Sequence, residues 1–218
     1  PSLYITGDGI NNSTNIIDRS PNAFTVTVNG DAKISTTQEP TGMVSSIYFD
    51  GTGDYLSVAN NAALQAGTGN FTLEAYIYRS AAGSAHTIYA KGGSSTGMNF
   101  QVTSTNVLRF TYATSNIDST GTIPATSWTH VAVVREGTGT NQTKLYINGV
   151  NDGQGTVSTD FNQTEESRVG TNRDTSENFN GYISNVRFTK GYALYTSTFV
   201  PPPLPILLNS NQIAYPSL

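Results

Sequence analysis

Helical periodicity is nearly missing from this chain. Only residues 60–67 (NNAALQAG) and 191–197 (GYALYTS) could make a turn or two of helix. What recurs instead is short runs of Thr, Val, Ile, Tyr and Phe, parted by Gly, Asn, Asp and Ser. Such runs read as strands, and the clusters between them as tight turns. The pattern predicts strands over residues 24–28, 46–49, 54–58, 71–79, 87–90, 99–103, 107–112, 128–135, 144–147, 167–169 and 182–188. That spacing, in a chain of 218 residues, points to one all-β domain, a sandwich or a barrel with one or two short helical turns.

Strand alternation assigns faces. In NFTLEAYIYR, Phe71, Leu73, Ala75 and Ile77 share one side, and Thr72, Glu74, Tyr76 and Tyr78 the other. In SWTHVAVVRE, Trp128, His130, Ala132 and Val134 oppose Val131 and Val133, so both faces are apolar at the centre. That strand belongs in the middle of its sheet, and Trp128 is expected to be buried. KLYINGV ends on Asn148-Gly149, a favoured hairpin dipeptide.

Composition excludes several function classes. Charged residues are 12% of the chain, with 11 basic against 15 acidic and a net charge of −4. This is no footprint for nucleic acid. No apolar run reaches the roughly 18 residues of a membrane helix, so membrane insertion is not expected. The absence of cysteine rules out disulfides and thiolate metal sites. A Gly-x-Ser-x-Gly elbow is missing. Lys91–Gly97 (KGGSSTG) lacks the Lys-Ser/Thr ending of a phosphate loop and reads as a hairpin loop. Of the two histidines, His86 and His130, the second sits in an apolar strand and reads as a hydrogen-bonded core residue. The Asn-x-Ser/Thr sequons at Asn11, Asn12, Asn70, Asn141 and Asn162 are expected by chance in a chain so rich in these residues.

SIYFDGTGDYLSV, FTLEAYIY, WTHVAVVREG, KLYINGV, SRVGTN and FNGYISNVRFTKGYALYTSTFVPPP follow one another in this order. Together they resemble the concanavalin A-like lectin/glucanase superfamily, in particular the laminin-G-like jelly rolls found in phage tail and other virion proteins. The resemblance implies two antiparallel sheets packed as a jelly-roll sandwich. It implies that the FNGYISNVR strand is the last long one, pairing back near the N-terminal strand, and that KGYALY is a short turn of helix. One domain over residues 1–203 is expected, with a lead-in at 1–45 and the main match at 46–203. Residues 204–218 are then a C-terminal extended tail and a possible connector.

The resemblance also frames the site. Glucanases of the superfamily carry Glu-x-Asp-x-x-Glu on one strand, the carboxylate pair that retaining hydrolysis requires. That triplet is absent, Glu74 stands alone, and Glu165 and Glu166 are adjacent. No catalytic residue and no enzyme activity are expected. Relatives often hold one calcium at a sandwich edge, where carboxylates and turn carbonyls supply hard oxygens. Asp8, Asp18, Asp50 and Asp54 are the calcium candidates here, although Ser184 stands where many relatives have Asp. Sugar binding would use aromatic platforms, for which Tyr76, Tyr78, Tyr112, Tyr182 and Tyr192 are the candidates.

The expected function is a structural or adhesive module of an extracellular assembly. A phage virion appendage (tail fibre, tail tip or capsid decoration) is the leading form. A repeating subunit of a bacterial surface filament and a free lectin are the alternatives. Partners would be copies of itself, other subunits of a virion or filament, and surface glycans. The triple proline Pro201–Pro203 ends the last strand and is expected to carry the chain stiffly away from it. The tail then either folds back over its own sandwich edge or adds to a sheet edge of a neighbouring subunit, the neighbour being the favoured fate.

Overall fold

The structure, a computed structural model, describes residues 1–93 and 96–206. In chain order the strands are β1 (Leu3–Ile5), β2 (Val26–Asn29), β3 (Lys33–Ser35), β4 (Ser46–Asp50), β5 (Tyr55–Val58), β6 (Phe71–Arg79) and β7 (His86–Lys91). They continue with β8 (Met98–Val102), β9 (Val107–Tyr112), β10 (Ser115–Thr122), β11 (Thr129–Arg135), β12 (Thr143–Ile147), β13 (Val150–Gly155), β14 (Ser167–Val169) and β15 (Asn180–Lys190). One eight-stranded sheet runs β13-β12-β11-β6-β15-β4-β3, with β1 paired to β15. A seven-stranded sheet runs β10-β9-β8-β7-β14-β5-β2. All pairings are antiparallel, so the architecture is the expected jelly-roll sandwich.

The core lies between the sheets. Phe71, Leu73, Ala75 and Ile77 of β6 and Val131 and Val133 of β11 meet Ile88, Phe100 and Phe110 of the opposing sheet. The faces read from alternation hold. Asn148 and Gly149 take φ of 49° and 80° between β12 and β13, the left-handed pair that a two-residue hairpin turn requires. β15 pairs with β4 over Asn180–Ile183 and with β1 over Val186–Phe188, so the last long strand does return to the N-terminus.

Three expectations are corrected. Residues 191–197 form no helix, because Gly191 at φ 87° turns the chain off β15 into an extended course. Among the described residues the single helical turn is the 3-10 turn Ala62–Leu64, capped by the Asn61 side chain. Trp128 precedes β11 and is half-buried, because its position faces away from the core. Finally, the chain beyond β15 does not lead away. Through Ile206 it lies as a strap across the outer face of the eight-stranded sheet. Its apolar residues cover that face: Phe199 stacks on Tyr195 at 3.6 Å and packs on Tyr146, while Ile206 packs on Tyr4. Residues 207–218, the rest of the expected tail, lie outside the described residues.

Candidate functional site

The outer face of the eight-stranded sheet is built in rungs, because antiparallel register sets alternate residues side by side across strands. On one rung Glu74 is fully buried beneath the strap. Its Oε1 accepts from Arg187 Nε at 2.7 Å, and its Oε2 accepts from the Tyr195 hydroxyl at 2.8 Å and meets His130 Nε2 at 2.9 Å. Burial pushes the Glu74 carboxyl up, but Arg187 and His130 outweigh it and hold it below its ordinary value. A carboxylate so sealed and satisfied has no free lone pair facing solvent, so it is architecture. His130 is buried and hydrogen-bonded, as its apolar strand implied.

The next rung pins the strap. Tyr76 Oη donates to the Pro202 carbonyl at 2.6 Å. Burial, then the Glu74 charge, push the Tyr76 phenol up to about 12. A bulge in β15 between Ser184 and Arg187 sets Asn185 at φ 54° and aims it outward. Its Oδ1 accepts from the Tyr4 hydroxyl at 2.5 Å and from the Ile206 amide at 3.3 Å. Ser184 is buried and donates to the Thr6 carbonyl at 2.9 Å.

Beyond the strap edge lies a rung of aromatic rings. Register places Tyr48 opposite Tyr182, and Tyr182 opposite Tyr78. Ring centroids are 5.1 Å apart for Tyr48–Tyr182, 5.8 Å for Tyr182–Tyr78 and 5.7 Å for Tyr78–Trp128. All four rings are half-buried. Of the tyrosines expected from sequence, this rung unites Tyr78 and Tyr182. Tyr76 lies under the prolines, Tyr112 stacks on Phe110 in the other sheet, and Tyr192 is exposed on the strap. Tyr48 and Trp128 were missed as partners, since their neighbourhood depends on the register of distant strands.

The seven-stranded sheet carries a cavity of about 280 Å³ on its outer face. Asn99 and Gln101 of β8 and Arg109 and Thr111 of β9 form its floor, and the 172–177 loop with Asn172, Arg173, Asp174 and Glu177 forms its wall. Asn99 Nδ2 donates to Gln101 Oε1 at 2.5 Å and to Glu177 Oε2 at 3.0 Å, which fixes the amide and leaves the buried Asn99 Oδ1 without a partner. Arg109 holds Asp118 through Nε at 2.6 Å and Nη2 at 2.7 Å. Gly92, Gly93 and Gly97 form the rim, where a side chain on Gly97 would strike the Lys91 carbonyl at 2.4 Å. None of these floor and wall residues stood out in the sequence. Amides at alternate strand positions look like any solvent face until the loop closes over them.

The acidic candidates separate. Asp50 and Asp54 join Asp31, which the sequence reading omitted, with carboxylate oxygens within 4.8 Å of one another. Asp54 is buried and accepts the amides of Asp31 at 2.7 Å and Asp50 at 3.0 Å. Burial raises its carboxyl above the ordinary value. Asp18 accepts from the amides of Tyr4, Ser20 and Phe24 and from the Ser20 hydroxyl, and Asp8 pairs with Arg19 at 3.5 Å. Among the sequons, Asn11, Asn12, Asn141 and Asn162 are exposed and Asn70 is half-buried.

A two-sheet jelly roll, with an open polar cavity on one outer face and an aromatic rung on the other, defines a lectin-like fold. Residues 50–194 match the family model described as the concanavalin A-like lectin/glucanases superfamily, laminin G type. The chain belongs to this superfamily. Among curated proteins, none matches the chain in sequence. Among solved structures, the binding domain of paraclostridial mosquitocidal protein 1 is similar at TM-score 0.68 and 14% identity, covering 88% of this chain and 49% of that one. The botulinum neurotoxin serotype G binding domain gives 0.67 and 13%, covering 88% and 48%. The chain thus spans about half of each of these domains. Domain 4 of an extracellular GH43 arabinanase from Geobacillus stearothermophilus, in complex with arabinotriose, gives 0.64 and 16%, covering 87% of this chain and 92% of that one. At these identities the likeness is one of fold. No helix among the described residues is long and apolar enough to cross a membrane.

Proposed function

We propose that this chain is a non-enzymatic glycan-binding module of an extracellular assembly, with a phage virion appendage as its setting. The observation that carries the reading is the polar cavity over β8 and β9. A polyhydroxyl ligand needs donors and acceptors at close quarters, and the cavity offers the Gln101 amide, the Arg109 guanidinium, the Thr111 hydroxyl and the Glu177 carboxylate within one concave wall. The arabinotriose complex of a similarly sized domain supports the ligand class. Against catalysis stands Glu74, locked beneath the strap and paired to Arg187.

Gln101→Ala and Arg109→Ala each remove a group at the ligand face. Each is expected to weaken glycan-array binding about tenfold, the worth of one charged or well-placed hydrogen bond, with melting unchanged within a few degrees. Array binding that survives both substitutions refutes the cavity as the site. Antibody against the chain is expected to decorate intact virion particles, and decoration of cell-surface filaments alone would move the module to a bacterial filament.

A further inference from the structure

We infer that the rung Tyr48–Tyr182–Tyr78–Trp128 is a second saccharide site, on the sheet opposite the polar cavity, selective for neutral oligosaccharides. The rung crosses β4, β15, β6 and the entry to β11, one ring per strand, so it is fixed by ladder register and not by a mobile loop. On its strap side a groove of about 480 Å³ opens, with Trp128 and Tyr76 on one side and Pro201–Pro203 on the other. The strap thus gives a flat aromatic strip a raised wall.

The chemistry of the strip selects the ligand. Sugar rings present an apolar C–H face and a hydroxyl edge, and tyrosine matches both with one side chain. Among the described residues, the hydroxyls of Tyr48, Tyr78 and Tyr182 bond no protein group. A second copy of the chain fits poorly. Four half-buried rings expose less than half of the about 800 Å² that one partner brings to a stable interface; the adjoining rung on the far side is polar, with Asp50 opposite Asn180, and on the strap side the prolines cover the rung of Ser184 and Tyr76.

Charge decides the class. One cation, Lys33, reaches the end of the strip, lying 5.8 Å over the Tyr48 ring. Asp31, Asp50 and Asp54 cluster beside that same end. The Asp31 and Asp50 carboxylates, which are not buried, repel an acidic sugar, whereas a neutral one carries no charge for them to repel.

Trp128 is the only tryptophan of the chain, so its fluorescence reports the rung alone. The experiment titrates cellohexaose, laminarihexaose, xylohexaose and arabinohexaose, with sialyllactose as the acidic probe. The expected result is a saturable change in tryptophan emission with at least one neutral hexaose. Tyr78→Ala and Tyr182→Ala weaken it about tenfold, Tyr78→Phe and Tyr182→Phe retain most of it, and Gln101→Ala leaves it unchanged. The Gln101→Ala arm separates this site from the polar cavity, so either can fail alone. No emission change with any neutral hexaose at millimolar concentration overturns the proposal. So does a stronger response to sialyllactose, or a response indifferent to the loss of both rings in variants whose circular dichroism is native.

Discussion

The Glu74–Arg187 pair shows how a charge on a strand is made part of the architecture. Glu74, the one acidic residue of β6, belongs to no catalytic triplet in sequence, and it is buried with an arginine, a histidine and a tyrosine around it. Breaking such a pair from one side leaves an uncompensated charge, so Arg187→Met is expected to cost about 3–5 kcal/mol in chemical denaturation. Glu74→Gln with Arg187→Met together should cost less than Arg187→Met alone. His86 carries a pH prediction. Burial, and then the Arg79 charge, lower its imidazole to about 4 from 6.5. A depressed value means the folded state holds the neutral ring. Its stabilising contribution is complete above pH 6.5 and is lost as pH falls toward 4. Melting temperature should therefore decline over that interval, and His86→Asn should flatten the decline; an unchanged slope would place the acid sensitivity elsewhere. The histidine roles were partly legible in sequence, since the apolar neighbours of His130 implied burial, but its partner Glu74 lies 56 residues away.

At the scale of elements, strands were the legible part. The runs at 71–79, 107–112 and 167–169 form strands with the expected bounds: the first two alternate between core and outer face, and the third is stopped by the Gly170 turn. β1, β3, β10 and β13 were not read. Three-residue β1 and β3 are too short to show a period, and β10 and β13 are polar runs of Ser, Asn, Asp and Gly held by their neighbours' ladders. The strap could be read either way from sequence, because prolines forbid a ladder but say nothing of direction; the fold-back course is the one observed, not the favoured reach to a neighbour. The proline carbonyls still accept, and Tyr76 supplies the donor. Phe199→Ala strips the strap of its main anchor over Tyr146 and Tyr195 and should destabilise by about 2 kcal/mol, less than a fully buried Phe. Gly181 is a sharper test. At φ 140° a side chain there would meet the Tyr78 carbonyl at 2.1 Å, so Gly181→Ala should break the β15–β6 register and yield little folded protein.

For the whole molecule, the sandwich separates two tasks. Its interior is a continuous apolar core, and both outer faces carry exposed chemistry, polar over β8 and β9 and aromatic over β4, β15 and β6. Tyr78 and Tyr182 were legible as outward-facing rings because aromatic residues at alternate strand positions are visible in alternation. The polar cavity was not, because it exists only where the 172–177 loop returns to lie beside β8 and β9. The measurement that tests the central claim most directly is a side-chain amide NMR titration with the glycan that scores highest on an array, run beside product analysis of the same sample. Binding through the cavity predicts saturable shifts of the Asn99 and Gln101 side-chain amides and an intact glycan after prolonged incubation. Unmoved amides with the glycan bound, or cleaved glycan in the sample, would contradict it.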